Sequence, residues 1–223
     1  MAALLRANWF KACVFGTFLS LSLSAAALIL SHLSDLNAIL LCVAAVGLGL
    51  FIADFVSGVV HALADHFGET HTPVVGPLFI EPFRSHHSDP DAIVHESRWE
   101  LCIPAMTSAI PALGAGVLIS SLTVTSPASI FIATLLWVVP SCAVGACLTH
   151  QLAHHDSPIK LVGFLQRSGF ILSVEQHQLH HREGHLTRFC ILNGWANPAV
   201  DALLSRTLLR QSPTHKAAKA LTA

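Results

Sequence analysis

Residues 174 to 185 read VEQHQLHHREGH and place four histidines in twelve positions. Imidazoles separated by three and four residues, as His177, His180, His181 and His185 are, share one face of a helix. A neutral imidazole is also a good transition-metal ligand. The same spacing recurs at His150 and His154, and His61 has a carboxylate partner, Asp65, four residues on. His86 and His87 are adjacent, so one short element can serve two ions. A single ion takes about three or four protein ligands, so this set points to a dinuclear metal centre. An interfacial strip of histidines holding anionic headgroups requires neither helical spacing nor a carboxylate.

The donor set leaves the metal open, because imidazole suits iron, copper, zinc and nickel alike. Bis-histidine haem calls for facing pairs inside apolar spans, and a metal transporter calls for ligands at mid-membrane depth. Neither pattern is present. The remaining histidines, His32, His66, His71, His95, His155 and His215, read as solvated or hydrogen-bonded surface residues.

These ligands belong to a chain that is 53% hydrophobic and 11% charged with a net charge of −1, the composition of an integral membrane protein. Its 15 histidines outnumber its 12 lysines and arginines, and no basic stripe marks a nucleic-acid footprint. Cys13, Cys42, Cys102, Cys142, Cys147 and Cys190 include no C-x-x-C pair. They read as buried thiols rather than as a disulfide framework or zinc knuckle.

Four uncharged runs approach or exceed the length of about 20 residues that a helix needs to cross a bilayer. They are Ala12 to Leu30, Leu36 to Ala53, Leu101 to Leu122 and Pro127 to Leu148. The second continues through Asp54 to about Asp65. Pro104, Pro111 and Pro140 predict kinks in the third and fourth. The connections SHLSD and TVTS are too short for anything but helical hairpins. The expected fold is therefore an all-α integral membrane protein with four transmembrane helices in two hairpins under a cytoplasmic His-rich helical cap.

Two hairpins return the chain to its starting face, so the amino terminus, residues 61–100 and everything after Leu148 share one side. All 12 lysines and arginines lie on that side, which makes it cytoplasmic by the positive-inside rule. Arg6 and Lys11 ahead of an apolar run also resemble a signal peptide. The run exceeds the usual signal core of about 7 to 15 residues, which favours a retained anchor.

Four stretches resemble the lipid-desaturase-domain family in order and with similar gaps: DFVSGVVHALADHFG (54–68), GPLFIEPFRSHHSDPDAI (76–93), HQLAH (150–154) and QHQLHHREGHLTRFCILNGWANP (176–198). The resemblance covers roughly residues 54 to 200. It implies a membrane-bound di-iron enzyme that desaturates a lipid with O2. By motif, the metal ligands fall on His61, His86, His87, His150, His154, His177, His180, His181 and His185, with Asp65 as the acidic partner. The implied cofactors are two iron ions, with O2 as co-substrate. The implied substrate is a membrane phospholipid, foremost a plasmanyl ether lipid converted to a vinyl ether, with a fatty-acyl lipid as the alternative. A hydroxylase built on the same site and a non-catalytic metal-binding membrane protein are the competing readings.

Each turnover needs two electrons, and the chain carries no Rossmann, haem or ferredoxin motif, so a separate donor of cytochrome b5 or ferredoxin type is implied. Arg167, Arg182, Arg188, Arg206 and Arg210 offer it docking charge, or else anchor lipid phosphates. Asp65 and Glu175 are candidates for orienting ligand imidazoles. The chain departs from the family pattern at Ala62, His66, Phe67, Glu81 and Ser85, so the substrate is less specified than the reaction class.

By domain, residues 1–53 form an amino-terminal segment and the first hairpin, 54–200 the desaturase domain with the second hairpin, and 201–223 a carboxy-terminal helix and tail. GFLQRSGFILS (163–173) reads as an interfacial helix roofing the metal site. Residues 194–198 read as a turn with an interfacial Trp195, followed by an amphipathic helix from about Ala199 to Arg210 and a disordered tail from Gln211.

Overall fold

The structure is a computed structural model that describes residues 7–122, 126–155, 159–182 and 184–205. The described residues form helices and turns, with no strand. In chain order the helices are α1 (Asn8–Ser31), α2 (Leu36–His66), a π-helical turn (Gly76–Ile80), α3 (Glu81–Ser88), α4 (Ala92–His95), α5 (Arg98–Leu122), α6 (Pro127–Leu152), α7 (Lys160–Arg167), α8 (Val174–Arg182) and α9 (Asn197–Ser205).

Helices α1, α2, α5 and α6, of 24, 31, 25 and 26 residues, are long and apolar enough to cross a membrane. In hydrocarbon every backbone polar group must be satisfied within the segment, which a helix achieves. Helix α5 continues through Pro104 and Pro111, and α6 through Pro140. Neither ends at a proline. At 1.5 Å per residue α2 is about 46 Å long against a hydrocarbon core of about 30 Å, so about a third of it has no need of lipid. That surplus accommodates the polar residues from Asp54 to His66.

Tertiary contacts divide the chain into two units, Met1–Ala53 with Arg98–Gly145 and Asp54–Ser97 with Ala146–Ala223. In the first unit, α1 packs along α5. Lys11 pairs with Glu100, the rings of Phe15 and Trp99 lie 4.6 Å apart, and His32 Nε2 donates to the Ser120 carbonyl at 3.2 Å. Early residues meet early ones and late meet late, so the two helices run parallel. Helices α2 and α6 repeat this arrangement, with Thr134 Oγ1 3.9 Å from Cys42 Sγ and Gly49 facing Val138. A Cβ on Gly49 would lie 2.8 Å from Val138 Cγ1, so glycine permits the close approach. Leu23, Leu40, Val43, Leu118 and Leu122 remain exposed, an apolar surface suited to lipid.

The second unit has its own core, in which Phe189, Cys190, Ala196, Val200 and Leu204 close around Ala62. Helix α9 starts at Asn197, two residues before the expected position, because Pro198 suits the first turn of a helix. The cysteines do not all conform to the buried expectation: none of the six is in a disulfide, Cys102 and Cys190 are buried, and Cys13 is exposed. Arg206, Arg210, His215 and the expected tail lie outside the described residues.

A Cβ on Gly58 would lie 2.6 Å from Cys190 Sγ and 3.2 Å from both the Cys190 nitrogen and Val200 Cγ2. Alanine is the better helix former by about 1 kcal/mol, but overpacking typically costs about 1–3 kcal/mol, and here the obstruction includes backbone. Gly58→Ala is therefore expected to lower the thermal midpoint of the detergent-solubilised protein. An unchanged or higher midpoint would mean that the 189–200 segment yields freely.

Candidate metal centre

Four elements of the second unit deliver the chemistry. The last turns of α2 supply His61 and Asp65, α3 supplies His86 and His87, the end of α6 supplies His150 and His154, and α8 supplies His177, His180 and His181. Helix α6 ends at Leu152, so His154 lies in the turn beyond it. Helix α8 ends at Arg182. His185 therefore does not share a helical face with His181 as its spacing suggested. It follows Gly184 in a turn where Gly184, His185 and Arg188 have φ of 69°, 60° and 59°, a conformation that non-glycine residues hold only under strong surrounding constraint.

Side chains outside the histidine pattern bring these elements together. Arg84 on α3 donates from Nε to the Ala64 carbonyl at 2.9 Å and from Nη2 to those of Phe67 and Gly68 at 2.9 and 3.1 Å, tying His86 and His87 to the carboxy-terminal end of α2. A cation there also complements the helix dipole. Gln151 Nε2 donates to the Ile93 and Glu96 carbonyls at 2.8 and 3.0 Å. Gln166, buried in α7, donates to Leu152 at 3.2 Å and secures the end of α6.

His66 is not the surface residue expected. It is buried, its Nε2 donates to the His185 carbonyl at 2.7 Å, and its ring meets the edge of Phe189 at 5.9 Å. Its place one residue after Asp65 was the only sequence sign of this. Glu175 is exposed and belongs to neither of the four-donor groups described next.

The donors fall into two groups of four, His86 with His154, His177 and His181, and His61 with Asp65, His87 and His180. His87 and His181 also form a set with His185, whose ring stacks on that of His87 at 3.9 Å. His150 adjoins the first group, with its Nε2 3.1 Å from that of His177 and 3.4 Å from that of His154. All nine histidines and Asp65 are thus brought together.

The hydrogen bonds dictate which nitrogen faces inward. A carbonyl can only accept, so Nδ1 carries the proton in His61, bonded to Phe189 at 2.9 Å, in His86, bonded to Pro82 at 3.2 Å, and in His180, bonded to Thr187 at 2.7 Å. The neutral ring then presents a bare lone pair at Nε2, the orientation that backbone carbonyls impose on metal-ligating histidines. Nε2 of His61 and of His86 is buried without a hydrogen-bond partner, as are both oxygens of Asp65. Asp65 Oδ2 nevertheless lies 3.3 Å from His61 Nε2 and 3.7 Å from His180 Nε2. A carboxyl group facing two lone pairs needs a proton or a cation between them, and buried unsatisfied groups are costly.

In the other group, His177 Nε2 lies 2.9 Å from that of His154 and 3.1 Å from that of His181. One proton can bridge one such pair, whereas a shared cation satisfies all of them. Two nitrogens each about 2.1 Å from one ion stand about 3.0 Å apart at a right angle and about 3.4 Å at the tetrahedral angle. The observed spacings fit a metal ion.

Burial, reinforced by neighbouring imidazoles, holds these rings neutral. It lowers His86 to about 2, His180 to about 3, and His154 and His181 to about 4, from an ordinary value of 6.5. His87, His177 and His185 shift in the same direction for the same reason. The folded state disfavours protonation that the unfolded chain accepts near 6.5. Stability is then full above that pH and lost as pH falls towards the folded values. The thermal midpoint of the metal-stripped protein in detergent is expected to fall steadily from pH 7 to pH 5. A flat profile over that interval would contradict the burial of neutral imidazoles.

Residues 50–209 match the lipid desaturase domain. Plasmanylethanolamine desaturase of Myxococcus xanthus is 38% identical over 161 residues, covering 70% of this chain and 55% of the relative. Plasmanylethanolamine desaturase 1 of Mus musculus is 32% identical over 169 residues, covering 70% and 58%. Chloroplastic fatty acid desaturase 4 of Arabidopsis thaliana is 31% identical over 160 residues, covering 69% and 46%. The match thus spans somewhat more than half the length of the first two relatives. No solved structure matches this chain. With the domain match extending over all nine histidines of the candidate centre, the chain belongs to the lipid desaturase domain family.

Proposed function

We propose that this protein is an integral membrane di-iron lipid desaturase that forms the vinyl ether of a plasmalogen from an alkyl ether phospholipid. The observation that carries this reading is the pair of adjacent four-donor groups, one all imidazole and one with a carboxylate. Ligands of this kind suit iron, and adjacent sites suit a two-ion centre. The names of the bacterial and mouse relatives favour the ether substrate. That of the plant relative keeps the acyl lipid as the alternative.

Bound iron, reduced by an external donor, would supply the oxidising power to use O2 as hydrogen acceptor. Overall, two adjacent carbons each lose one hydrogen, and O2 takes these with two further electrons and two protons to give two waters. The protein's own part is to hold ligands and keep the site dry. His86, His154, His177 and His181 would hold one ion, and His61, Asp65, His87 and His180 the other. His150 and His185 lie within reach of these groups. Neutral imidazoles would leave the positive charge of bound ions largely uncompensated. Asp65 is the one carboxylate in either group. Phe83, whose ring lies 4.6 Å from His61 and 6.0 Å from His150, is an apolar wall touching donors associated with both groups.

The electrons would come from a cytochrome b5 or ferredoxin type donor, with exposed Arg167 and Arg182 as docking charge. The positive-inside pattern supports a cytoplasmic position for this face.

The test is lipid mass spectrometry of aerobic cells supplied with an alkylglycerol and expressing the protein or His181→Ala. The expected product is an ether lipid lighter by two hydrogens and cleaved by mild acid, falling to background in the variant. An acid-stable double bond in an acyl chain would transfer the assignment to the fatty-acyl lipid, and an added oxygen would make the enzyme a hydroxylase. No new product with a competent donor present would overturn the catalytic reading.

A further inference from the structure

Asp54 lies on α2 seven residues before His61 and is wholly buried. Its Oδ1 accepts the backbone N–H groups of Leu192, Asn193 and Gly194 at 3.2, 3.0 and 3.2 Å, and its Oδ2 that of Ala196 at 2.8 Å. A buried carboxylate is costly unless its lone pairs are occupied. Here four backbone donors from one short segment occupy them, and those donors would otherwise be orphaned. Ser57 Oγ accepts the Ile191 N–H at 3.2 Å and Asn197 Oδ1 that of Cys190 at 2.9 Å. Residues 190–196 are thereby clamped along their length.

The clamped segment is also where the histidine-bearing elements meet. The Phe189 carbonyl accepts the His61 Nδ1 proton. The Ile191 carbonyl accepts the hydroxyl of Thr149, the residue before His150. The Leu192 carbonyl accepts the Leu172 N–H at 2.8 Å, two residues ahead of α8 and its three histidines.

We propose that Asp54 is a positioning residue of the metal centre, which acts through the backbone of residues 189–196 to aim His61 and to set the register of the segments carrying His150 and His177. The proposal rests on the metal-centre reading above. Asp54 itself needs no contact with a metal. Its carboxylate is suited to this role because both oxygens accept, whereas an amide would turn a donor towards one of these N–H groups.

The experiment is Co2+ titration of the full chain in detergent, read by visible ligand-field absorption and by bound cobalt per chain. Asp54→Asn preserves size and one acceptor. The expected result is altered absorption bands and Co2+ binding weaker by about 10–100-fold, the usual effect of removing support behind a ligand, in metal-free protein that still elutes as a folded species. Ser57→Ala, which removes one support from the same segment, is expected to shift the bands in the same direction by less. Unchanged bands and affinity in folded Asp54→Asn would overturn the proposal. If that variant does not fold, an unchanged spectrum in Ser57→Ala overturns it instead. Absence of Co2+ binding by the unsubstituted protein would overturn the metal-centre reading beneath it, an outcome distinct from binding that ignores residue 54.

Discussion

Everything in the second unit serves one electrostatic constraint: bare lone pairs and a carboxylate are aimed into the same buried space. A proton or a cation must stand between them. Three imidazoles are committed by backbone carbonyls to present Nε2 inward, and both Asp65 oxygens lack hydrogen-bond partners. Such an arrangement persists only where the surrounding structure enforces it or a cation resolves it.

Enforcement comes from the backbone around the site rather than from the helices that carry the donors. Thr187 and Phe189 orient His180 and His61 through their carbonyls, and His66 holds the His185 carbonyl. The left-handed residues between Gly184 and Arg188 let the chain reverse within a few residues, so that one stretch both supplies a donor and supports others. Arg84 and Gln151 do the same work between elements, each using more than one side-chain proton on carbonyls near helix ends.

The first unit obeys a different constraint, that of hydrocarbon. Its helices pack through small residues and a few polar contacts, with Gly49 against Val138 and Trp137 Nε1 donating to Ser22 at 3.0 Å, and they leave large apolar side chains facing outward. Parallel pairing of α1 with α5 and of α2 with α6 follows from two hairpins that start on the same face. Tertiary contacts assign the larger part of each span of both hairpins to this unit, although the histidine motifs bracket the second hairpin in the chain.

Much was legible from local pattern. Uncharged runs dictate spanning helices because lipid admits little else, and intervals of three and four between histidines announce one helix carrying 177, 180 and 181. Position 65 was identifiable as an acidic partner from the same spacing. What local pattern could not supply was anything decided by contacts distant in sequence. His66 looks like a surface residue until the 185 carbonyl arrives to accept its proton, His185 looks helical until Gly184 turns the chain, and Asp54 looks like the polar end of a span until residues 192–196 close over it. Composition and periodicity thus suffice for the helices and for singling out the histidines that the fold gathers. The division into two four-donor groups, the inward nitrogen of each ring and the residues that hold them are long-range hydrogen-bond and packing outcomes, so only the tertiary structure decides them.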